Sequence, residues 1–238
     1  MPAGSVVPSA PKWVGRLGLS TLVIFALAQG SAFYVSPADR DMGHLQKIMY
    51  VHVPAAWVAF GAFFVVFVAS IMYLWKRQPK HDLLAAAAAE FGTIATALTI
   101  ALGSIWGRPT WGVWWTWDPR LTTTAILLMI FVGYVALRSF TEDDERRARW
   151  SAAVGILGFI NVPIVYMSVQ WWRTIHQVQS TPSSIDGPFA YGLLINTFAF
   201  SVIMVYCIAH RYFTARVERA VEQHVELAAL EEGVEVES

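Results

Sequence analysis

Cysteine is almost absent: Cys207 is the single one among 238 residues. That excludes a disulfide framework, a Cys-x-x-Cys redox pair and a Cys-x-x-Cys-His site for covalent haem attachment. Charge is scarce as well, with 17 Lys and Arg against 17 Asp and Glu, 14% of the chain and a net of zero. Without a basic stripe, nucleic acid is not a partner. A phosphate-binding glycine loop, a Ser/His/Asp arrangement and a pair of catalytic carboxylates are all missing, so the chain reads as no enzyme. ATP hydrolysis or other catalysis would have to come from a partner. Nor is there an internal repeat, and the one biased tract, Ala85–Ala89, suits close helix packing by small residues.

What the chain has in abundance is apolar sequence. Hydrophobic residues make up 56% and the mean hydropathy is +0.48, which marks a membrane protein. Runs long enough for a hydrocarbon layer of about 30 Å occur at Leu17–Val35, Val53–Trp75, Leu83–Ile105, Leu121–Leu137, Ser151–Val169 and Tyr191–Ala209. They are continuously apolar rather than alternating, so helices and not barrel strands answer the bilayer's demand for internal backbone pairing. The expected fold is an all-α integral membrane protein: one six-transmembrane-helix bundle over 1–210, followed by a polar and acidic tail over 211–238. Proline at 54 suits the first turn of the second helix. The mixed-charge stretch Thr141–Arg149 reads as a solvated turn; beyond Ala209 a polar helical continuation is expected, ending in the acidic tail Glu231–Ser238 as a frayed, solvated end.

Lys12, Arg16, Lys76, Arg77, Lys80, Arg138, Arg146, Arg147, Arg149, Arg211, Arg216 and Arg219 fall on the side of the N-terminus; Arg40, Lys47, Arg108, Arg120 and Arg173 fall on the other. Because cations are retained in the cytoplasm, both termini are expected to be cytoplasmic. Ala26-Leu27-Ala28 resembles a signal cleavage site, but the apolar run continues to Val35. That exceeds the apolar core of about 7–15 residues in such signals, and a retained helix is expected.

On the outer face lies Trp106-Gly-Arg-Pro-Thr-Trp111-Gly-Val-Trp-Trp-Thr-Trp-Asp-Pro-Arg-Leu-Thr122, which gathers five of eleven tryptophans into twelve residues. Gly, Pro and Thr between the rings resist regular structure, so 106–120 reads as an aromatic loop. A single interfacial Trp is usually an anchor; five together with Gly and Pro form a shaped surface. Two histidines flank it in sequence: His52 in Tyr50-Val-His-Val-Pro-Ala-Ala-Trp57 and His176 in Trp171-Trp-Arg-Thr-Ile-His-Gln177. His44, in a polar loop, is a weaker third candidate.

A lone His near a helix end is more often structural than a ligand. Two on one side, each near Trp, suit a flat apolar macrocycle with a central metal, because neutral imidazoles are axial ligands of haem iron. Trp106, Trp111, Trp114, Trp115, Trp117, Trp171 and Trp172 would cover the ring, and Arg108, Arg120 and Arg173 could pair with its carboxylates. Asp118 could cap the fourth helix or hold Arg120 in place, in preference to touching the ligand. Glu90 is an intramembrane acid, far from this face, and reads as a helix-packing partner.

The stretch Trp111-Gly-Val-Trp-Trp-Thr-Trp-Asp-Pro-Arg-Leu-Thr122 resembles the tryptophan-rich WWD signature of cytochrome c maturation. With His52 before it and His176 after it, the whole chain is similar to the haem exporter protein C family, CcmC. It departs only at Thr123, where many members carry Ser, and at Pro119, a position that tolerates Ala. The CcmF and CcsA types share the signature but have more helices.

The resemblance implies an inner-membrane protein that holds haem b as transient cargo at the periplasmic face, with His52 and His176 as axial ligands. It also implies delivery to the haem chaperone CcmE, in association with the small subunit CcmD and the ABC transporter CcmAB. Two other readings use the same residues. A haem permease needs a polar path through the bundle, for which only Glu90, Asn161 and Asn196 are on offer; a docking subunit would use the Trp surface to hold a soluble partner.

Overall fold

A computed structural model describes residues 9–178, 185 and 187–231. Among them all regular structure is helical: α1 (Lys12–Gly30), α2 (Met49–Lys76), α3 (Pro79–Trp111), α4 (Pro119–Phe140), α5 (Asp144–Phe159), α6 (Asn161–Trp171) and α7 (Gly187–Glu231). A π-helical turn, Ser31–Val35, prolongs α1, and a 3₁₀ turn, His44–Ile48, leads into α2. With α5 and α6 counted as one crossing, six helices are long and apolar enough to span a membrane. The expected six-helix fold is therefore present.

The turn between α2 and α3 is short because two residues do most of the work. Arg77 takes the left-handed conformation (φ 52°), its N–H donates to the Tyr73 carbonyl at 2.8 Å, and Pro79 starts α3 where no donor is needed. The two helices then pack along their length. Ala55, Ala59 and Ala62 on α2 and Ala85, Ala88, Ala89 and Ala95 on α3 are buried together in the main core. Apolar burial gives little drive between helices in lipid, so close contact of small residues is what joins them. Gly92 lets the Phe63 ring pass between helices to stack on Phe131 of α4, centroids 3.7 Å apart.

The fifth span is broken at Ile160, where the N–H bonds the carbonyl three residues back, Leu157, at 3.2 Å. Pro163 cannot donate to the Phe159 carbonyl, so the helical ladder is interrupted there. Asn161 Nδ2 donates to the Thr123 carbonyl at 2.9 Å and ties the new start to α4. α5 packs on both α2 and α4, whereas α6 keeps its packing on α4. Glycines 155 and 158 bring α5 close, since a Cβ would lie 2.8 Å from Val66 and 2.7 Å from Ile130 respectively.

Several expected boundaries are corrected. α2 starts at Met49, so Pro54 lies inside the helix and not in its first turn. Asp144–Arg149 is not a turn; Asp143 caps α5 by accepting from the Arg146 N–H at 2.6 Å, and acidic residues fill the first turn. The polar continuation of the last helix is helical as expected, through Glu231; Arg211 pairs with Glu90 at 2.8 Å and Arg219 with Asp144 at 2.9 Å. Residues 232–238 lie outside the described residues. Glu90 is thus the packing partner expected of it. α1 packs on α7 through Gln29 Nε2, which donates to Asn196 Oδ1 at 2.7 Å.

The core contact at Gly92 makes a measurable prediction. A Cβ there would stand 2.6 Å from Phe63 Cε1, and that ring is held by the stack on Phe131. Gly92→Ala should cost about 1–3 kcal/mol of stability, seen as a lower midpoint of thermal unfolding in detergent.

Candidate functional site

At the end of the bundle where α3 meets α4, the walls of α2, α3, α4 and α6 enclose a cavity of about 250 Å³. Its floor and sides are mostly apolar, with Phe60, Ile100, Leu121 and Val165 among the lining. His52, Trp106, Trp111, Trp115, Arg120 and His176 all face it. A concave apolar site with a few convergent polar groups is the usual form of a small-molecule site.

His52 lies in the first turns of α2 and reaches α3 at Gly103, where an added Cβ would be 3.0 Å from its ring. The Trp106 indole meets this imidazole edge to face, centroids 5.9 Å apart. Among the described residues, the buried His52 Nδ1 and Trp106 Nε1 have no hydrogen-bond partner. Buried polar atoms are normally satisfied, so two orphans in one cavity fit a ligand with metal and polar atoms.

His176 comes from the irregular segment after α6. Its ring is 6.1 Å from that of Trp111, and Trp111 itself lies against Gly107, one turn earlier on α3. The ring nitrogen Nδ1 is 2.9 Å from the Gln177 carbonyl. A carbonyl can only accept, so Nδ1 carries the proton and Nε2 keeps the lone pair, the tautomer that suits a metal ligand. Burial pushes the His176 imidazole below its ordinary pKa; the Gln177 carbonyl opposes this and the Arg120 charge adds to it. The neutral form is favoured.

Arg120 lines the cavity while its guanidinium donates to the carbonyls of Val165 at 3.2 Å and Tyr166 at 3.3 Å. Asp118 is buried and caps α4, accepting from the Arg120 N–H at 2.9 Å. It holds Arg120 through this backbone contact, and its charge also acts on the guanidinium. The same carboxylate also accepts from Thr174 and from the Ile175 N–H, each at 2.8 Å.

The remaining candidates sit outside the cavity lining. Trp114 and Trp117 are 60% and 80% exposed, and Trp117 meets Trp115 edge to face. Trp171 and Trp172 are exposed and pack on each other. Arg108 bonds the Gly112 carbonyl, Arg173 is exposed and His44 is exposed at the start of the 3₁₀ turn.

The expected loop over 106–120 is corrected to 112–118, since α3 continues through Trp111. Pro109 sits in the last turn, where Thr110 Oγ1 donates to the Trp106 carbonyl at 2.8 Å, and Gly112 (φ 80°) ends the helix with its N–H on the Arg108 carbonyl at 3.0 Å.

The profile of the family described as Heme exporter protein C matches residues 4–226. A protein named Heme exporter protein C in Bradyrhizobium diazoefficiens is 38% identical over 193 residues, 79% of this chain and 73% of its own length. Its namesake in Escherichia coli K12 is 34% identical over 188 residues, 79% and 77% of the two chains. A Marchantia polymorpha protein described as a ccmC-like mitochondrial protein of cytochrome c biosynthesis is 37% identical over 162 residues, 68% and 66% of the two. The chain belongs to the CcmC family.

For this CcmC family member, the lining residues that the sequence did not mark include Gly103, Gly107, Trp57 and Tyr166. The glycines stand four apart on one helix face, a spacing that signals close approach. Trp57 stands within the same segment as His52 and its ring meets that of Tyr166, centroids 6.1 Å apart. Of these, only Tyr166 carried no signal. The helix end gives a direct check: Gly112→Ala would force an L side chain into the left-handed region at about 1–2 kcal/mol. Faster amide exchange over residues 108–113 is the expected readout.

Proposed function

We propose that this protein binds haem at the periplasmic face of the bacterial inner membrane and hands it to the chaperone CcmE during maturation of c-type cytochromes. The reading is carried by one observation: two imidazoles from distant segments, each beside a tryptophan, line the same apolar cavity. Family membership supports it, since the relatives are named as haem exporters. His52 and His176 are the axial ligands of haem b, carried as cargo; Trp106, Trp111 and Trp115 wall the ring, and Arg120 faces its carboxylates. Trp114 and Trp117, exposed beside the cavity, suit the surface that meets a soluble chaperone.

The protein's part is to bind, orient and exclude water, without catalysis of its own. An even number of spans, together with the cation excess on the side opposite the tryptophans, supports cytoplasmic termini. CcmD and the CcmAB transporter are the proposed membrane partners.

The test is the visible spectrum of the protein purified from haem-replete cells. A Soret band is expected that His52→Ala or His176→Ala weakens and the double variant loses, and that moves to added soluble CcmE. A wild-type protein without the band, or a double variant that keeps it unchanged, overturns the reading.

A further inference from the structure

Beyond Trp171 the chain leaves helical structure: Trp172 is extended (φ −127°, ψ 158°) and residues 173–178 belong to no helix or strand. Yet this segment delivers His176 to the cavity. Its polar ties to the rest of the fold converge on one carboxylate. Thr174 Oγ1 donates to Asp118 Oδ1 and the Ile175 N–H to Asp118 Oδ2, both at 2.8 Å, across 56 and 57 residues of sequence. Thr174 Oγ1 in turn accepts from the His176 N–H at 3.0 Å.

The hydroxyl therefore works in both directions, donating to the acid and accepting from the histidine backbone. Neither Asp118 nor Thr174 faces the cavity. Asp118 is nevertheless buried, where a carboxylate is stabilised by several N–H and O–H donors at once.

We infer that Asp118 and Thr174 are positioning residues: together they latch the segment carrying His176 onto the Trp-rich segment, so that the imidazole and the indoles form one rigid wall. This rests on the reading of His176 as a haem ligand. The aspartate of the tryptophan-rich signature then serves the cargo without touching it. Groups that orient a metal ligand from outside its first contacts typically contribute about 10–100-fold in affinity.

Asp118 also caps α4, so removing it would disturb two things at once; Thr174 isolates the latch. Thr174→Val keeps the shape and loses both hydrogen bonds, whereas Thr174→Ser keeps them. Two measurements on the full-length protein decide. In haem-free protein with Cys207→Ala, spin labels at positions 113 and 173, both exposed and outside the cavity lining, report the distance between the two segments. Thr174→Val should broaden that distribution and Thr174→Ser should leave it narrow. In haem-loaded protein, release to apomyoglobin should be about 10–100-fold faster for Thr174→Val and close to wild type for Thr174→Ser.

A narrow distribution with unchanged release in Thr174→Val overturns the latch, as does equal broadening in Thr174→Ser. If His176→Ala alone leaves release unchanged, the ligand reading falls instead, and the label distances still decide the latch.

Discussion

The site depends on how closely α2 and α3 approach each other. Between helices in lipid there is no water to expel, so their association rests on shape and dispersion. The buried alanines of α2 and α3 supply that shape, and the same approach, carried a few turns further, brings His52 onto Gly103. A side chain at position 103 would stand in the imidazole's place. The orientation of a candidate metal ligand is thus set by backbone packing several turns away from it.

The second requirement is a space for a ligand in an otherwise packed bundle, and the break in the fifth span provides it. α5 packs on both α2 and α4 whereas α6 stays on α4, and the cavity is lined there by Val165 and Tyr166 of α6 and by Trp57 and Phe60 of α2. Phe67 stacks on Phe159 outside the lining, centroids 4.7 Å apart, whereas Trp57 and Tyr166 both line the cavity. At the opposite end the bundle is held by charge. Arg138 meets Asp82 with two hydrogen bonds of 2.6 and 2.9 Å, and Arg211 meets Glu90. Buried or partly buried ion pairs of this kind mostly serve to avoid unpaired charge in the membrane. One end is thereby locked and the other left concave.

Hydropathy and length were enough to read six spanning helices, since each run meets the bilayer's thickness by itself and the backbone must pair within it. Side-chain chemistry in the sequence also pointed to His52, His176 and the tryptophans, because those residue types are rare, costly to leave exposed and crowded into short segments. Helix ends were harder. Pro109 and Gly107 look like breakers, yet α3 runs six residues past its apolar stretch, with Thr110 Oγ1 on the Trp106 carbonyl and the Gly112 N–H on the Arg108 carbonyl at its end.

Tertiary structure alone sorted the aromatic residues, placing Trp106, Trp111 and Trp115 in the cavity and Trp114, Trp117, Trp171 and Trp172 outside it. It alone joined Asp118 to Thr174. The physical reason is range. Spanning length and polarity are properties of a contiguous stretch, legible one segment at a time. Which ring faces a cavity, and which hydroxyl meets a carboxylate 56 residues away, follows only when the helices have chosen their neighbours.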